Sequence, residues 1–222
     1  MNPTPRTSDR SNVLRIAVSQ RVYINAHAER LDALDQRWPI FLRQCGCECV
    51  PLPNVPQLAS ARLADSPIDG VLLTGGNDLQ RYGGDAPERD ATEQLLLRYA
   101  RERQLPLIGV CRGMQVLQDE VGLELTPVEG HVSAQQCIQW QGAARIVNSY
   151  HNWGTTRTSP EYDIIGHADD GTIKAIQHRS LPWLGVMWHP ERIHPFASED
   201  LTLFREHLSG LALASPPPST SS

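Results

Sequence analysis

No apolar run in this 222-residue chain approaches the roughly 20 residues that a membrane-spanning helix requires. The opening M-N-P-T-P-R-T-S-D-R also lacks the hydrophobic core of a signal peptide. A cytoplasmic protein with no membrane partner is therefore expected. Excess positive charge is missing too: 20 Lys and Arg face 25 Asp and Glu, a formal net charge of −5. Nucleic acid needs a basic field, which argues against it as a partner and leaves any anionic ligand to local arginines. Cysteines number five, an odd count that fits free thiols better than a disulfide framework. Three of them, in C-G-C-E-C from Cys45 to Cys49, lack the usual C-x₂-C metal spacing, so neither a metal nor another cofactor is expected.

What is present is an alternation of strand and helix patterns. Residues 1–11 are polar with two prolines and 214–222 read A-S-P-P-P-S-T-S-S; both are expected to be disordered tails around one domain at 12–213. Within it, strands are predicted at Val13–Ser19, Cys49–Leu52, Asp69–Thr74 and Leu107–Val110. A helix with Leu31, Leu34, Trp38, Phe41 and Cys45 on one face, kinked or interrupted at Pro39, follows the first strand. Further helices are predicted over 87–103, after Cys111, and from Ser198 with Leu201, Phe204 and Leu208 inward. Residues 132–147 suit strands or a hairpin, Asn148–Gly154 a polar loop, and Tyr162–His167, Thr172–Gln177 and Trp183–Trp188 three more strands. The fold class is α/β: a mainly parallel central sheet with helices on both faces, plus a smaller, mostly antiparallel strand region.

The chemistry concentrates at L-P-L-I-G-V-C-R-G-M-Q. Cys111 sits on a strand-to-helix turn between Gly109 and Gly113, the G-x-nucleophile-x-G arrangement whose small neighbours permit a strained backbone. The helix that follows points its N-terminus at the sulfur, favours the thiolate, and offers the Arg112 N–H to a developing oxyanion. A buried, inert thiol is the alternative at this point. A thiol nucleophile needs a base and the base an orienting acceptor. His189 and Glu191, two residues apart at the end of a predicted strand, project the same way and fit both roles. The glycine pair Gly75-Gly76 at another strand end lets backbone amides approach a ligand. Arg21, just beyond the first strand, is a candidate ligand contact because open sheets bind ligands outside their carboxyl ends.

Together G-V-C-R-G-M-Q, I-K-A-I-Q-H and G-V-M-W-H-P-E resemble the class I glutamine amidotransferase domain, and T-G-G-N-D-L with R-Y and E-R-D-x-x-E is similar to its gamma-glutamyl hydrolase branch. The resemblance covers nearly the whole chain between the tails. It implies a flavodoxin-like fold, a Cys111–His189–Glu191 catalytic triad acting through a thioester, and an oxyanion hole from the Gly76 and Arg112 amides. It also implies substrate contacts from Gln115 and from the loop Asn148, Ser149, Tyr150 and His151. Met187 and Gln80 depart from the common pattern and bear on the shape of the pocket. A-V-S-Q-R-V and A-L-D-Q-R-W are similar to a small bacterial group that hydrolyses a gamma-glutamyl cytidine diphosphate amidate in making capsular phosphoramidates. That likeness would give Arg21, with Arg30 or Arg37, a nucleotide-linked diphosphate to neutralise. The implied function is hydrolysis of the gamma-glutamyl amide bond of a small molecule. The alternatives are a gamma-glutamyl-GABA-type hydrolase, a glutaminase subunit feeding ammonia to a synthetase, and a catalytically silent binding domain. A homodimer is compatible with all of them.

Overall fold

The computed structural model of the protein describes residues 13–210, so the tails expected at 1–11 and 214–222 lie outside the described residues. Strand β1 (Leu14–Val18) leads into a small separate hairpin, β2 (Arg21–Ile24) and β3 (Arg30–Ala33), before helix α1 (Arg37–Gln44). The helix expected from Leu31 to Cys45, kinked or interrupted at Pro39, is thus a strand followed by a shorter helix. Leu31 is 44% exposed on the hairpin, and its spacing to Leu34 and Trp38 is coincidental. Pro39 fits the later start: it falls in the first helical turn, where an N–H would have no intrahelical acceptor.

The chain continues through β4 (Cys47–Pro51), α2 (Pro56–Asp65), β5 (Gly70–Leu73), α3 (Pro87–Arg103), β6 (Leu107–Val110) and α4 (Arg112–Glu120). Helix α2, for which the sequence pattern gives no expectation, begins at Pro56, where proline is tolerated at a helix start. Then follow β7 (Thr126–Pro127), the long hairpin β8 (Val132–Trp140) and β9 (Ala143–Tyr150), and β10 (Trp153–Gly154), which pairs with β7. Strands β11 (Tyr162–Ala168), β12 (Ile173–His178) and β13 (Trp183–Val186) and helix α5 (Ser198–Leu208) complete it. Asn148, Ser149 and Tyr150, expected in a loop, are the last residues of β9.

Nine strands form one mixed sheet in the order β4-β1-β5-β6-β13-β12-β11-β8-β9. Pairing is parallel from β4 to β13 and antiparallel from there to β9, so the antiparallel region continues the parallel one edge to edge. Central strands alternate between two cores, as the period of two demands. Val71, Leu73 and Leu107 pack with Leu96, Ala100 and Leu117 of α3 and α4. Leu72, Ile108 and Val110 face the other way, onto Phe41 of α1 and Phe204 and Leu208 of α5. No helix among the described residues is long and apolar enough to cross a membrane.

Candidate active site

Three neighbouring parallel strands, β5, β6 and β13, end side by side, with Leu73 opposite Gly109 and Val110 opposite Val186. The residues that follow each end therefore meet: Gly75-Gly76 after β5, Cys111 after β6 and His189 after β13. This is the carboxyl edge at which open α/β sheets present ligand groups.

Cys111 caps α4 with φ +52° and ψ −105°, a left-handed conformation that costs a non-glycine residue about 1–3 kcal/mol. Its N–H is fixed to the Val186 carbonyl at 2.7 Å. The strain is sustained by close packing under the turn: a Cβ on Gly113 would lie 2.2 Å from the Leu73 carbonyl oxygen. The turn carries Cys111 into the lining of one cavity with His189. A Cβ on Gly75 would come within 2.5 Å of His189 Cε1, so only glycine there leaves the ring its place. His189 Nδ1 donates to Glu191 Oε1 at 2.8 Å, which leaves Nε2 for the sulfur. Burial pulls the His189 pKa down, but the combined influence of Cys111 and Glu191 outweighs it and carries it to about 9. Among the described residues, the Gly76 and Arg112 N–H groups have no acceptor.

These groups line a cavity of about 260 Å³ together with Asn77, Asp78, Gln115, Tyr150, His151 and Arg192. Gln115 sits in the first turn of α4 and donates from Nε2 to the Trp153 carbonyl at 3.0 Å. The Tyr150 carbonyl accepts from the Cys111 thiol at 3.8 Å, and the Arg192 guanidinium lies 5.0 Å from the Tyr150 ring centre. His151 donates from Nδ1 to the Trp153 carbonyl and accepts at Nε2 from Lys174 Nζ at 2.7 Å. Burial and the Lys174 ammonium push its pKa down to about 3, so it is a neutral wall of the cavity.

Asn148 and Ser149 do not line the cavity. Asn148 clamps the His189 backbone, accepting its N–H at 2.7 Å and donating to its carbonyl at 2.8 Å. Ser149 Oγ donates to the His131 carbonyl and accepts from Lys174 Nζ. Arg21 lines a smaller adjoining hollow with Asp35, Gly75, Gly76 and Arg192 and has no ion pair among the described residues. Arg30 and Arg37 are held by Glu88 and Asp35 respectively. Met187 is packed in the core and Gln80 starts a short 3₁₀ turn.

Arg89, Lys174 and Arg192 were not singled out by the sequence reading. The signal for Lys174 was compositional: it is the only lysine in the chain, set between apolar residues in a strand. For Arg89 it was the E-R-D-x-x-E pattern, which puts Arg89 and Glu93 at i and i+4 on one helix face.

Residues 40–206 match the glutamine amidotransferase class-I family. The gamma-glutamyl-CDP-amidate hydrolase of Campylobacter jejuni is 28% identical over 181 residues, spanning 80% of this chain and 90% of that protein. The gamma-glutamyl-gamma-aminobutyrate hydrolase of Escherichia coli O157:H7 is 29% identical over 163 residues, 56% of this chain and 64% of that one. A solved glutamine amidotransferase of Thermotoga maritima shares the fold, with a TM-score of 0.61 over 90% of this chain and 86% of that one at 15% identity.

Proposed function

The chain belongs to the class I glutamine amidotransferase family, and from that premise we propose that it is a cysteine-dependent hydrolase of a gamma-glutamyl amide, with gamma-glutamyl-CDP-amidate as its best candidate substrate. The observation that carries the reading is that Cys111, on a strained turn at a helix N-terminus, lines one cavity with a His189 whose Nδ1 is held by Glu191.

In this reading Cys111 Sγ attacks the gamma-carbonyl, forming the C–S bond while the carbonyl π electrons move onto oxygen. The Gly76 and Arg112 amides receive that oxyanion. As the tetrahedral intermediate collapses the C–N bond breaks, and the His189 imidazolium delivers its proton to the departing nitrogen. Water then adds to the thioester, neutral His189 takes its proton, and C–S cleavage releases glutamate and the thiolate. Glu191 orients the imidazole and offsets its charge throughout. Similarity to the Campylobacter enzyme over most of both chains supports the nucleotide amidate, and so do Arg21 and Arg192, two arginines beside the cavity in an acidic protein.

The test is glutamate release over a panel of glutamine, gamma-glutamyl amines and gamma-glutamyl-CDP-amidate, using the protein alone. The highest kcat/KM is expected on the nucleotide amidate. Cys111→Ala is expected to keep the fold and lose glutamate release; appreciable turnover in that variant refutes the mechanism. Glutaminase activity that emerges only with a synthetase present would favour an ammonia-supplying subunit instead.

A further inference from the structure

The geometry points to Arg89 as a positioning residue that fixes the Gly75–Gly76 peptide and thereby aims the Gly76 N–H into the Cys111 cavity. The inference rests on the reading of Gly76 as an oxyanion donor.

Arg89 lies in the first turns of α3 and is 0% exposed. Its Nη2 donates to the Thr74 carbonyl at 2.7 Å, the Gly75 carbonyl at 3.0 Å and Thr74 Oγ1 at 3.2 Å. Its Nη1 donates to Asn77 Oδ1 at 3.2 Å, and its Nε to Glu93 Oε1 at 2.9 Å. One planar fork thus holds Thr74, Gly75 and Asn77 of the loop that follows β5, and the Glu93 carboxylate holds the fork. No backbone N–H among the described residues serves the Thr74 or Gly75 carbonyl, so neither strand nor helix pairing sets this loop.

The consequence for Gly76 follows from peptide geometry. In a planar trans peptide the carbonyl and the next N–H point to opposite sides. A Gly75 carbonyl drawn toward Arg89 therefore turns the Gly76 N–H away from Arg89, and that N–H has no acceptor among the described residues. Gly76 itself lines the cavity with Cys111. The residue has φ +110°, and a Cβ there would lie 3.1 Å from Arg89 Nη1 and 2.9 Å from Arg21 Cβ. Glycine is required both for the backbone angle and to give the guanidinium room. Asn77 braces the loop from the other side, accepting the Val22 N–H at 2.9 Å and donating to the Val22 carbonyl at 2.9 Å. Glu93 is shared: it also accepts from Arg112, whose own amide is the second proposed oxyanion donor. A lysine at position 89 would keep the charge but lose the fork, since an ammonium cannot span both carbonyls and Asn77 in one plane.

The experiment compares wild type with Arg89→Lys, and with Arg89→Met should that variant fold. Three quantities are measured. Steady-state kinetics on the preferred gamma-glutamyl substrate should show kcat lowered about 100-fold with KM changed less than about threefold, the mark of a group that acts on the transition state. Alkylation of Cys111 by iodoacetamide, which needs the nucleophile but no oxyanion donor, should proceed at the wild-type rate. The Gly76 amide in a glycine-selective ¹H–¹⁵N spectrum should pass from one sharp resonance to a shifted or exchange-broadened one. An unchanged kcat overturns the proposal, and so does a fall in alkylation matching the fall in kcat, which would indicate general loosening of the site. The amide spectrum separates the two levels of inference. A wild-type protein that releases no glutamate defeats the hydrolase reading, while an unmoved Gly76 resonance in Arg89→Lys defeats the Arg89 proposal whatever the wild type hydrolyses.

Discussion

Asn148→Ala should lower stability and turnover together while leaving substrate affinity nearly intact. His189 stands three residues beyond the end of β13, where no neighbouring strand pairs with its backbone. The Asn148 side chain, 4% exposed, supplies the missing pairing through both of its amide atoms. Alanine leaves the buried His189 N–H unpartnered, while the His189 carbonyl keeps the Arg192 N–H at 3.2 Å, so a loss of about 1–3 kcal/mol is expected. For a chain of this size each kcal/mol lowers Tm by about 2–4 °C, which puts the drop at about 2–12 °C. A His189 ring displaced by about 1 Å from Cys111 loses on the order of 100-fold in kcat. Thermal unfolding by circular dichroism and steady-state glutamate release check both. A Tm within about 1 °C of wild type, with kcat kept and KM raised, would refute the clamp and return Asn148 to the substrate-holding role that the sequence suggests.

Two predictions concern titration. Because the His189 pKa is raised from 6.5 to about 9, the group contributes stability that is fully present below pH 6.5 and is lost as pH rises through 9, about 3 kcal/mol in all. His189→Gln should flatten the stability profile in that window, and the basic limb of the wild-type kcat/KM should lie near pH 9; a limb near pH 7 contradicts the assignment. Burial pushes the Lys174 ammonium down to about 8 against the pull of Asp170 and Cys111. As the only lysine, it gives a single ¹⁵Nζ resonance whose midpoint should fall near pH 8, and its depressed pKa makes stability rise with pH between about 8 and 10.5; a midpoint above about 10 would mean a solvated ammonium.

The parts of the site that could be read in the sequence are those set by local geometry. A cysteine between glycines at −2 and +2 implies a tight strand-to-helix turn. His189 and Glu191 could be paired from their spacing, although Glu191 stands on a 3₁₀ turn, Pro190–Arg192, and not on the strand whose alternation that pairing assumed. The central strands could be read too, because apolar runs such as Leu107–Val110 leave few alternatives. The hairpin Arg21–Ala33 could not, because two short, mostly exposed strands are held by pairing with each other, and Leu31, Leu34 and Trp38 mimic a helical stripe by chance.

The larger loss was the polar scaffold. Asn148 and Ser149 read as part of a polar loop, and Lys174 only as a residue of a strand, because their partners lie far along the chain: the His189 backbone for Asn148, the His131 carbonyl for Ser149, and Ser149 and His151 for Lys174. Each is buried because register in the antiparallel half of the sheet brings those partners to it. Arg89 is the same case in a helix: its periodic setting marks the face it occupies, but the carbonyls it holds belong to the loop that follows β5. A polar side chain in a sequence announces that it needs a partner, and whether the partner is water, substrate or backbone is decided by topology. Where the fold supplies a backbone group, the residue leaves the substrate's surface and joins the machinery that aims the groups still on it.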